Sequence, residues 1–548
     1  MVNGLQTITF VSLLGSWSAV TFGSGYLPYR PTYVGSFVLI WTILGLGALF
    51  YKIFIYHRFF SPLRHLPDPK GGSLWNGHAK RIYTEANGFP ASDWLRTTPH
   101  KDMFRYLGVL NSERIVVTSP EALAEVCSRN YDFPKSRQAT FVAGELLGRG
   151  LVLTDGDEHK RQRKMLLPSF ASKHIKALYP VYWSKAKEVT AKLTAIARSD
   201  ASGEGAAVEI GEWASRAALD VITLAALGLD FGAIKDPQTP LNRTYRMVFE
   251  PTRMFQFFSL LKLVIPSWIV HRIPLKRNLE VMKAVRDIKE TCRQLVRSKR
   301  AEIASEKPPR KDLLSLVLQS ENLTEGEAVD QMMTFLAAGH ETVSVAITWA
   351  IYMLCKYPEY QSRLRAEVRE LLPSPDVELS DGETPADLDR AVQLTAFCNE
   401  VLRYWPPIPL TAREAAEDTT LCGQFIPKGT KIILTIVGTN RDERLWGKDA
   451  REFRPERWLT AEGKLDATGG AVSKYANMTF NHGPRMCIGQ GFARAEMAYI
   501  LAAWIGRFEF ALVNEADRDE SKIKISGGGF SAKPADGLWV KMRAVDGW

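Results

Sequence analysis

One cysteine of this chain stands in a closely spaced pattern of residue types that suits a thiolate ligand. The pattern F-x-x-G-x-R-x-C-x-G is filled by Phe480, Gly483, Arg485, Cys487 and Gly489. The alanine-rich residues that follow predict a helix, so the thiol lies near a helix N-terminus, where backbone N–H groups and the helix dipole lower a thiol pKa. The glycines permit a tight turn. A buried structural cysteine, the usual fate of a lone one, fits this pattern poorly.

The same run resembles the haem-binding loop of the cytochrome P-450 superfamily of haem-thiolate monooxygenases. The resemblance implies that Cys487 is the axial ligand of the iron of haem b. Thiolate ligation pushes electron density onto the iron and favours O–O cleavage. The resemblance further implies that Arg485 pairs with a haem propionate and that Phe480 and Gly483 belong to the cofactor-binding loop. It extends over residues 73–548 and not over this motif alone.

A second segment whose residue types could take part in catalysis lies in the middle of a long apolar helical pattern. The pattern starts at a capping box on Thr324 and ends before Pro358, which implies a helix of about 30 residues, roughly 45 Å long. Its centre reads Ala338-Gly-His-Glu341-Thr342, and the Thr342 hydroxyl is expected to bond back to the Ala338 carbonyl. The segment resembles the superfamily's oxygen-activation helix, where the acid and the alcohol deliver protons. By that resemblance Glu341 and Thr342 are the catalytic residues.

Further residues are assigned by the resemblance alone. A stretch with the spacing usually written W-x-x-x-R carries His159 in place of the tryptophan, followed by Arg163. Arg413 matches a further arginine of the superfamily, and all three are expected to contact the haem propionates. The E-x-x-R segment that starts at Glu400 is similar to the superfamily's structural ion pair, which Arg457 is expected to complete.

The composition of the chain limits the classes of partner that the protein is expected to bind. The 548 residues carry 70 Lys and Arg against 60 Asp and Glu, a net charge of +10. A basic balance suits nucleic acid, an anionic membrane or an acidic protein, and no nucleic-acid motif accompanies it. The six cysteines are scattered without close pairs, which favours a reducing compartment over a disulfide framework. We therefore expect a membrane and an acidic protein as partners, and no nucleic acid.

The N-terminal region predicts a membrane anchor. Residues 34–51 form an uncharged run of 18 residues, roughly 27 Å as a helix, which is close to the thickness of a bilayer core. Residues 5–27 are a weaker second span or an interfacial segment, and a buried core helix is the alternative for the first run. Arg58, Arg64 and Lys70 follow, which predicts a catalytic domain facing the cytosol on the endoplasmic reticulum membrane.

The chain is expected to have three parts. These are a membrane anchor at residues 1–60, a Pro-rich linker at 61–72 and one large haem-thiolate monooxygenase domain at 73–548. The patterns predict a mainly α fold with minor β. Short strands are expected at residues 114–118 and 432–437 because β-branched side chains dominate there.

The resemblance implies an oxidoreductase that inserts one oxygen atom into a lipophilic small molecule. Electrons are expected from NADPH through a separate NADPH-cytochrome reductase, since the chain has no flavin or dinucleotide segment. Lys160, Arg161 and Lys164, beside Arg163, are candidates for docking that reductase. Taken as a whole, the sequence resembles fungal microsomal members of the superfamily, which act on secondary metabolites such as terpenoids, polyketides or alkaloids. The alternatives are a fatty-acid or xenobiotic hydroxylase, a reductase-independent haem isomerase or dehydratase, and a haem sensor.

Substrate contacts are expected from the variable segments of the fold. The candidate regions are residues 141–151, 248–268, 336–338, 408–411 and 527–530. The second region is unusually apolar, and it is either a membrane-facing entrance or part of the core.

Overall fold

The structure, a computed structural model, describes most of the chain. The described residues are 2–22, 31–136, 140, 144, 147–200, 203–239, 242–244, 276–305, 312–319, 323–378, 388–526 and 531–548. Two of the candidate substrate regions, residues 248–268 and 527–530, lie outside the described residues, as does most of 141–146.

Helices make up most of the described residues and strands a small part, as the sequence predicted. The helices are α1 Val2–Phe22, α2 Tyr33–Phe50, α3 Ala79–Thr84, α4 Phe89–Thr97, α5 Pro120–Ser128, α6 Gly156–Leu166, α7 Ser172–Ala177, α8 Tyr179–Ser199, α9 Ile210–Leu227, α10 Lys276–Ala304, α11 Leu313–Leu318, α12 Glu325–Lys356, α13 Glu359–Leu371, α14 Val392–Tyr404, α15 Ile436–Thr439, α16 Glu443–Trp446 and α17 Gln490–Arg507. The strands are β1 Met103–Leu107, β2 Glu113–Val117, β3 Ala206–Glu209, β4 Leu410–Glu414, β5 Thr419–Leu421, β6 Gln424–Ile426, β7 Lys431–Thr435, β8 Phe508–Leu512 and β9 Trp539–Ala544. A π-helix, Tyr51–Phe60, continues α2.

The central helix α12 begins and ends where the sequence predicts. The Thr324 hydroxyl accepts a hydrogen bond from the Glu327 N–H, and the Glu327 carboxylate accepts one from the Thr324 N–H. This capping box satisfies N–H groups that a helix start otherwise leaves unpaired. Most of the 32 residues are buried, and α12 packs against α9, α10 and α17. Ala338, at its centre, is nevertheless exposed, so this point of the helix faces an internal space.

The main sheet has the order β1-β2-β7-β4. The predicted strands at residues 114–118 and 432–437 correspond to the two neighbours β2 and β7, which run parallel with Ile115 opposite Ile432. The second strand ends earlier than predicted, because Ile436 and Val437 already belong to the helix α15. The other two pairs are antiparallel. A second sheet, β3-β9-β8, and the hairpin β5-β6 complete the β structure of the described residues. The edge strand β4 matters for function because it carries Arg413.

A buried ion-pair cluster fixes α14 to the segments that precede the cysteine loop. Arg403 donates two hydrogen bonds of 2.8 Å to the Glu400 carboxylate, and Arg457 donates one of 3.0 Å. Trp458 Nε1 also donates to this carboxylate at 3.0 Å, and Arg403 donates to the Asn440 carbonyl at 2.7 Å. The buried charges are therefore paired and fully bonded, the condition under which a protein tolerates them. The predicted structural ion-pair cluster is confirmed.

Asn440 connects the ion-pair cluster to the start of the cysteine loop. Its Oδ1 accepts a hydrogen bond from the Met478 N–H at 2.8 Å, and its Nδ2 donates to Thr479 Oγ1 at 2.8 Å. Thr479 Oγ1 donates in turn to the Leu402 carbonyl of α14 at 2.8 Å. Since Phe480 follows directly, the ion-pair cluster holds the start of the cysteine loop in place.

The two N-terminal helices pack against each other. Gly15 of α1 lies so close to α2 that a Cβ at this position would be 2.9 Å from Ile40 Cδ1. Two segments, Gly4–Phe22 and Tyr33–Phe60, are long and apolar enough to cross a membrane. This pair of helices is compatible with a membrane anchor.

Candidate active site

The cysteine loop is a tight turn that a side chain at one position would disrupt. Gly483 has φ +70°, and a Cβ there would lie 2.5 Å from the Cys127 carbonyl oxygen. The Cys487 N–H donates to the Phe480 carbonyl at 2.8 Å and closes the loop. The glycine is therefore required by both the left-handed backbone and the close approach of α5. Directly after the loop, Gly489 precedes α17, as the sequence predicted.

Cys487 is accessible although protein atoms surround it. The residue is exposed, yet burial is the main influence on its thiol. Together these two observations indicate that the thiol faces an internal space. Burial raises the pKa of the thiol, while a hydrogen bond from the Gly489 backbone and the charge of Arg163 lower it. The net direction is upward, which differs from the expectation drawn from the helix N-terminus, because burial outweighs both favourable effects. A cation bound at the sulfur reverses this balance, since a coordinating thiol is deprotonated.

Four cationic side chains and a histidine converge beside the cysteine loop. They are Lys135, Arg163, Arg413, Arg485 and His159. The pKa of His159 is lowered to about 4, first by burial and then by the four cations. Burial is also the main reason why the pKa of Lys135 falls to about 7 and that of Arg413 to about 10. This much buried positive charge is costly unless anionic groups share the space.

The cluster fits the propionate edge of a haem. Among the described residues one carboxylate, Asp155, pairs with Arg485 and accepts a hydrogen bond from the Lys135 N–H. Arg485 also donates to the Asn130 carbonyl at 3.0 Å, yet its Nε is buried with no partner in the described part of the chain. Two further negative charges would offset most of the remaining positive charge and would give that Nε an acceptor. The residues present therefore fit a haem, with the propionates here and the iron at Cys487.

Arg163 and Lys135 make contacts that the sequence did not predict. Arg163 Nη1 donates to the Met486 carbonyl at 2.7 Å, so the side chain supports the residue before the cysteine as well as the cationic cluster. No motif marks Lys135, and sequence reasoning missed it. An isolated backbone bridge to Arg413 on β4 brings it into the cluster, where its ammonium donates to the Thr154 carbonyl at 2.6 Å.

The middle of α12 has the geometry that its small and hydroxyl-bearing residues predict. Thr342 Oγ1 donates to the Ala338 carbonyl at 2.7 Å, which confirms the expected bond. Gly339 has an additional reason to be small, because a Cβ there would lie 2.8 Å from Ile222 of α9. Helix packing therefore restricts Gly339, and Ala338 is the residue that leaves room on the accessible face.

Glu341 is held as a carboxylate by residues from the C-terminal segment. Its Oε1 accepts hydrogen bonds from Ser531 Oγ at 2.7 Å and from Lys533 Nζ at 3.0 Å. Burial raises the pKa of Glu341, but the charges of Lys533 and His340, together with these hydrogen bonds, hold it below its usual value. His340 itself bonds to Ser215 Oγ at 2.7 Å, and burial lowers its pKa to about 4.

The segment that carries Ser531 and Lys533 is itself fixed to the core. Trp349 Nε1 of α12 donates to the Ala532 carbonyl at 2.7 Å, and the Ala532 N–H donates to the Pro407 carbonyl at 2.9 Å. No local pattern predicts these contacts, because 190 residues separate Ser531 from Glu341.

Comparison with known proteins agrees with this site. The family model for cytochrome P450 matches residues 67–538. Cytochrome P450 monooxygenase buaD of Petromyces alliaceus is 43% identical, with 91% of this chain and 91% of that protein covered. Cytochrome P450 monooxygenase ALT8 of Alternaria alternata is 38% identical over 92% of this chain and 94% of that protein. Cytochrome P450 monooxygenase sphH of Aspergillus fumigatus is 38% identical, covering 94% of each.

The chain belongs to the cytochrome P450 family and is a P450 monooxygenase. Membership of this family implies a haem-thiolate cofactor, in agreement with the fit of the cysteine loop and the cationic cluster.

Proposed function

We propose that this chain is a membrane-anchored monooxygenase that inserts one oxygen atom from O₂ into a lipophilic secondary metabolite of terpenoid, polyketide or alkaloid type. The reaction balances as substrate C–H, O₂, NADPH and a proton giving C–OH, water and NADP⁺. The observation that carries the proposal is the Cys487 thiol facing an internal space beside a buried cationic cluster. The fungal relatives, all named as P450 monooxygenases, support the same chemistry.

In this proposal the protein binds haem through two groups of residues. Cys487 ligates the iron, with Phe480 and Gly483 shaping the loop around it. The cationic cluster holds the propionates; its members are Arg485, Arg413, Arg163, His159 and Lys135. Bound haem would supply oxygen activation and insertion into a C–H bond. The protein's part is to orient that group and keep the thiolate inside an enclosed site.

Proton delivery is assigned to α12. Thr342 Oγ1 lies beside the exposed Ala338, where it can pass a proton to the accessible side of the helix. Glu341 is one residue away, and its ion pair with Lys533 connects it to a side chain that is 30% exposed. In this proposal Glu341, through its contact with Lys533, and Thr342, through its hydroxyl, each take part in bringing protons to the site.

We assign the supply of electrons to a separate NADPH-cytochrome reductase that docks near α6. Lys160 and Lys164 are exposed on this helix, and Arg163 on the same helix contacts the cysteine loop. Arg161 differs from the other two because it forms an ion pair with Glu327 of α12. The docking surface therefore rests on Lys160 and Lys164, whose charges remain available to an acidic partner.

The location follows from the N-terminal helices. We place the pair α1 and α2 in the endoplasmic reticulum membrane and the catalytic domain in the cytosol, since Arg58, Arg64 and Lys70 follow the second helix.

Isotope labelling tests the proposed reaction. Purified protein, reductase and NADPH are incubated with fungal metabolite extracts under ¹⁸O₂, and products are examined by mass spectrometry. One heavy oxygen atom per product, dependent on NADPH, is the expected result. Product formed without NADPH and without the label would instead favour a haem isomerase or dehydratase. Turnover confined to simple fatty acids would favour the hydroxylase alternative.

A further inference from the structure

Two buried glutamine side chains join α6 to the central helix α12. Gln162 of α6 and Gln331 of α12 are each only 1% exposed. Gln331 Nε2 donates a hydrogen bond of 2.8 Å to Gln162 Oε1. Burying an amide is costly unless its donors and its acceptor find partners. The remaining partners of the two amides therefore show what this pair holds in place.

The partners of the pair fix the orientation of both amides. Gln331 Oε1 accepts a hydrogen bond of 3.1 Å from the Leu151 N–H, and an N–H can only donate. The oxygen of Gln331 must therefore face Leu151, and its amino group must face Gln162. Gln162 Oε1 also accepts from Thr154 Oγ1 at 3.1 Å, while its Nε2 donates to Glu158 at 3.2 Å. Neither amide can turn over without losing these hydrogen bonds.

The pair is bonded to residues 147–154, which we call the bridging loop. Thr334, one turn after Gln331 on α12, donates through Oγ1 to the Leu147 carbonyl at 3.0 Å. At Gly150 the loop approaches so closely that a Cβ would lie 2.2 Å from Thr334 Oγ1. The bridging loop is therefore held against α12 at two points, with no room for a methyl group between them.

The bridging loop borders the internal space in front of α12. Gln331, Thr334 and Ala338 follow one another at spacings of three and four residues, so they lie on one face of the helix. Ala338 is the residue of this face that is exposed to the internal space. The loop covers the same face two turns earlier, and its distance from α12 therefore limits the space on that side.

The other side of the bridging loop is bonded to the cationic cluster. Lys135 Nζ donates to the Leu151 carbonyl at 3.3 Å and to the Thr154 carbonyl at 2.6 Å. Leu151 is thus held through its N–H by α12 and through its carbonyl by a side chain of the proposed propionate site. Because both bonds act on one residue, a shift of the loop on one side is felt on the other.

We propose that Gln162 and Gln331 are positioning residues that hold the bridging loop at a set distance from α12 and thereby limit the size of the ligand that the site accepts. They act through the loop and do not touch the ligand themselves. The inference rests on the proposed function, and it adds a buried pair of amides that shapes the substrate side of the site.

Hydrogen exchange of the haem-loaded, full-length protein tests whether the pair holds the loop. Gln331→Leu removes the acceptor of the Leu151 N–H and leaves a side chain of similar size. Exchange in a peptide that covers residues 147–154 should become several-fold faster in this variant. Gln361→Leu is the matched control, because Gln361 is 3% exposed and bonds the backbone of Phe510 instead of the bridging loop. It should leave exchange in residues 147–154 unchanged.

Optical titration with two azoles of different size tests the effect on the site. Imidazole is small, whereas clotrimazole carries three aromatic rings. In Gln331→Leu the ratio of the Kd for clotrimazole to the Kd for imidazole should fall several-fold, because a loosened loop admits the bulky azole at a lower cost. The Kd for imidazole alone should stay the same, and Gln361→Leu should keep the wild-type ratio. Thr334→Val, which removes only the bond to the Leu147 carbonyl, should lower the ratio by a smaller factor.

The two measurements together decide the proposal. Unchanged exchange in residues 147–154 of Gln331→Leu would show that the loop is held without the pair. Faster exchange with an unchanged ratio of Kd values would make the pair purely structural. Should Gln331→Leu fail to fold, an unchanged ratio in Thr334→Val would overturn the proposal equally. A haem-loaded wild-type protein whose spectrum responds to neither azole would contradict the proposed function itself, and this inference would fall with it.

Discussion

Lys533 Nζ lies 3.0 Å from Oε1 of Glu341, and the Ser531 hydroxyl donates to the same oxygen at 2.7 Å. A carboxylate in the central helix is thus kept charged by a segment near the end of the chain. Its ionisation depends on this contact, because burial alone would raise the pKa of Glu341.

The first prediction concerns the stability that this ion pair provides. Replacing Lys533 by methionine should destabilise the protein by on the order of 1–3 kcal/mol at neutral pH, because a buried carboxylate loses its partner. The folded pKa of Glu341 lies below its usual value, so this contribution is present at neutral pH. It is lost as the pH falls through the folded pKa. Urea unfolding at neutral and acidic pH measures both effects.

Two variants serve as controls for the ion pair. Lys533→Arg should retain most of the stability, since the charge remains. Lys533→Met combined with Glu341→Gln should be more stable than the sum of the single effects, because no unpaired charge remains. Strict additivity of the two changes would show that the residues do not interact.

The second prediction concerns proton delivery by Thr342. Thr342→Ala should keep haem and substrate binding but divert reducing equivalents to peroxide, because the hydroxyl that positions the proton is gone. Loss of such a group typically lowers the rate of the step that it serves by about 10²–10⁴-fold. The ratio of product formed to NADPH consumed reports directly on this step. Thr342→Ser should preserve that ratio. An unchanged ratio in the alanine variant would exclude the role of the hydroxyl.

The third prediction concerns the reductase. Reversing Lys160 and Lys164 to glutamate should slow transfer of the first electron and flatten its dependence on salt, with substrate affinity unchanged. These charges steer a partner over about a Debye length, ~8 Å at physiological ionic strength. Reversal of two other exposed lysines, Lys101 and Lys464, is the charge-matched control. Equal rates for both double variants at low ionic strength would place the docking surface elsewhere.

The fourth prediction concerns the boundary between anchor and domain. A chain that starts at residue 51 should bind haem with normal stability, because Ile53 and His57 still accept hydrogen bonds from Asn111 and Arg105. A chain that starts at residue 61 should lose about 1–3 kcal/mol, since these buried donors then lack acceptors. Thermal unfolding of the two haem-loaded chains compares them. Equal stability would make residues 61–72 an independent linker, as the sequence alone suggested.

Local patterns were sufficient for the elements that position the site. The capping box at Thr324, the tight turn at Gly483 and the β-branched run at Ile432 each follow from neighbouring residues, and all are observed. Gly489, by contrast, has an ordinary backbone conformation and room for a Cβ. Contacts between distant segments were not predictable in this way. Neither Lys135 nor Lys533 belongs to a motif. Lys135 enters the site because its backbone pairs with β4. Lys533 enters it because a hydrogen bond from Trp349 holds its segment against α12.

The direction of the Cys487 pKa shift was missed for a related reason. A helix N-terminus is visible in the sequence, whereas the depth of burial around a sulfur depends on how the whole chain packs.

The carbon-monoxide difference spectrum of the reduced protein tests the central claim most directly, because it reports the ligand on the haem iron. We expect the wild-type protein to show the band typical of the family and Cys487→Ser to lose it while remaining folded, with Cys127→Ser as a control that keeps it. A variant Cys487→Ser that retains the band, or a haem-loaded wild-type protein that lacks it, would contradict thiolate ligation by Cys487.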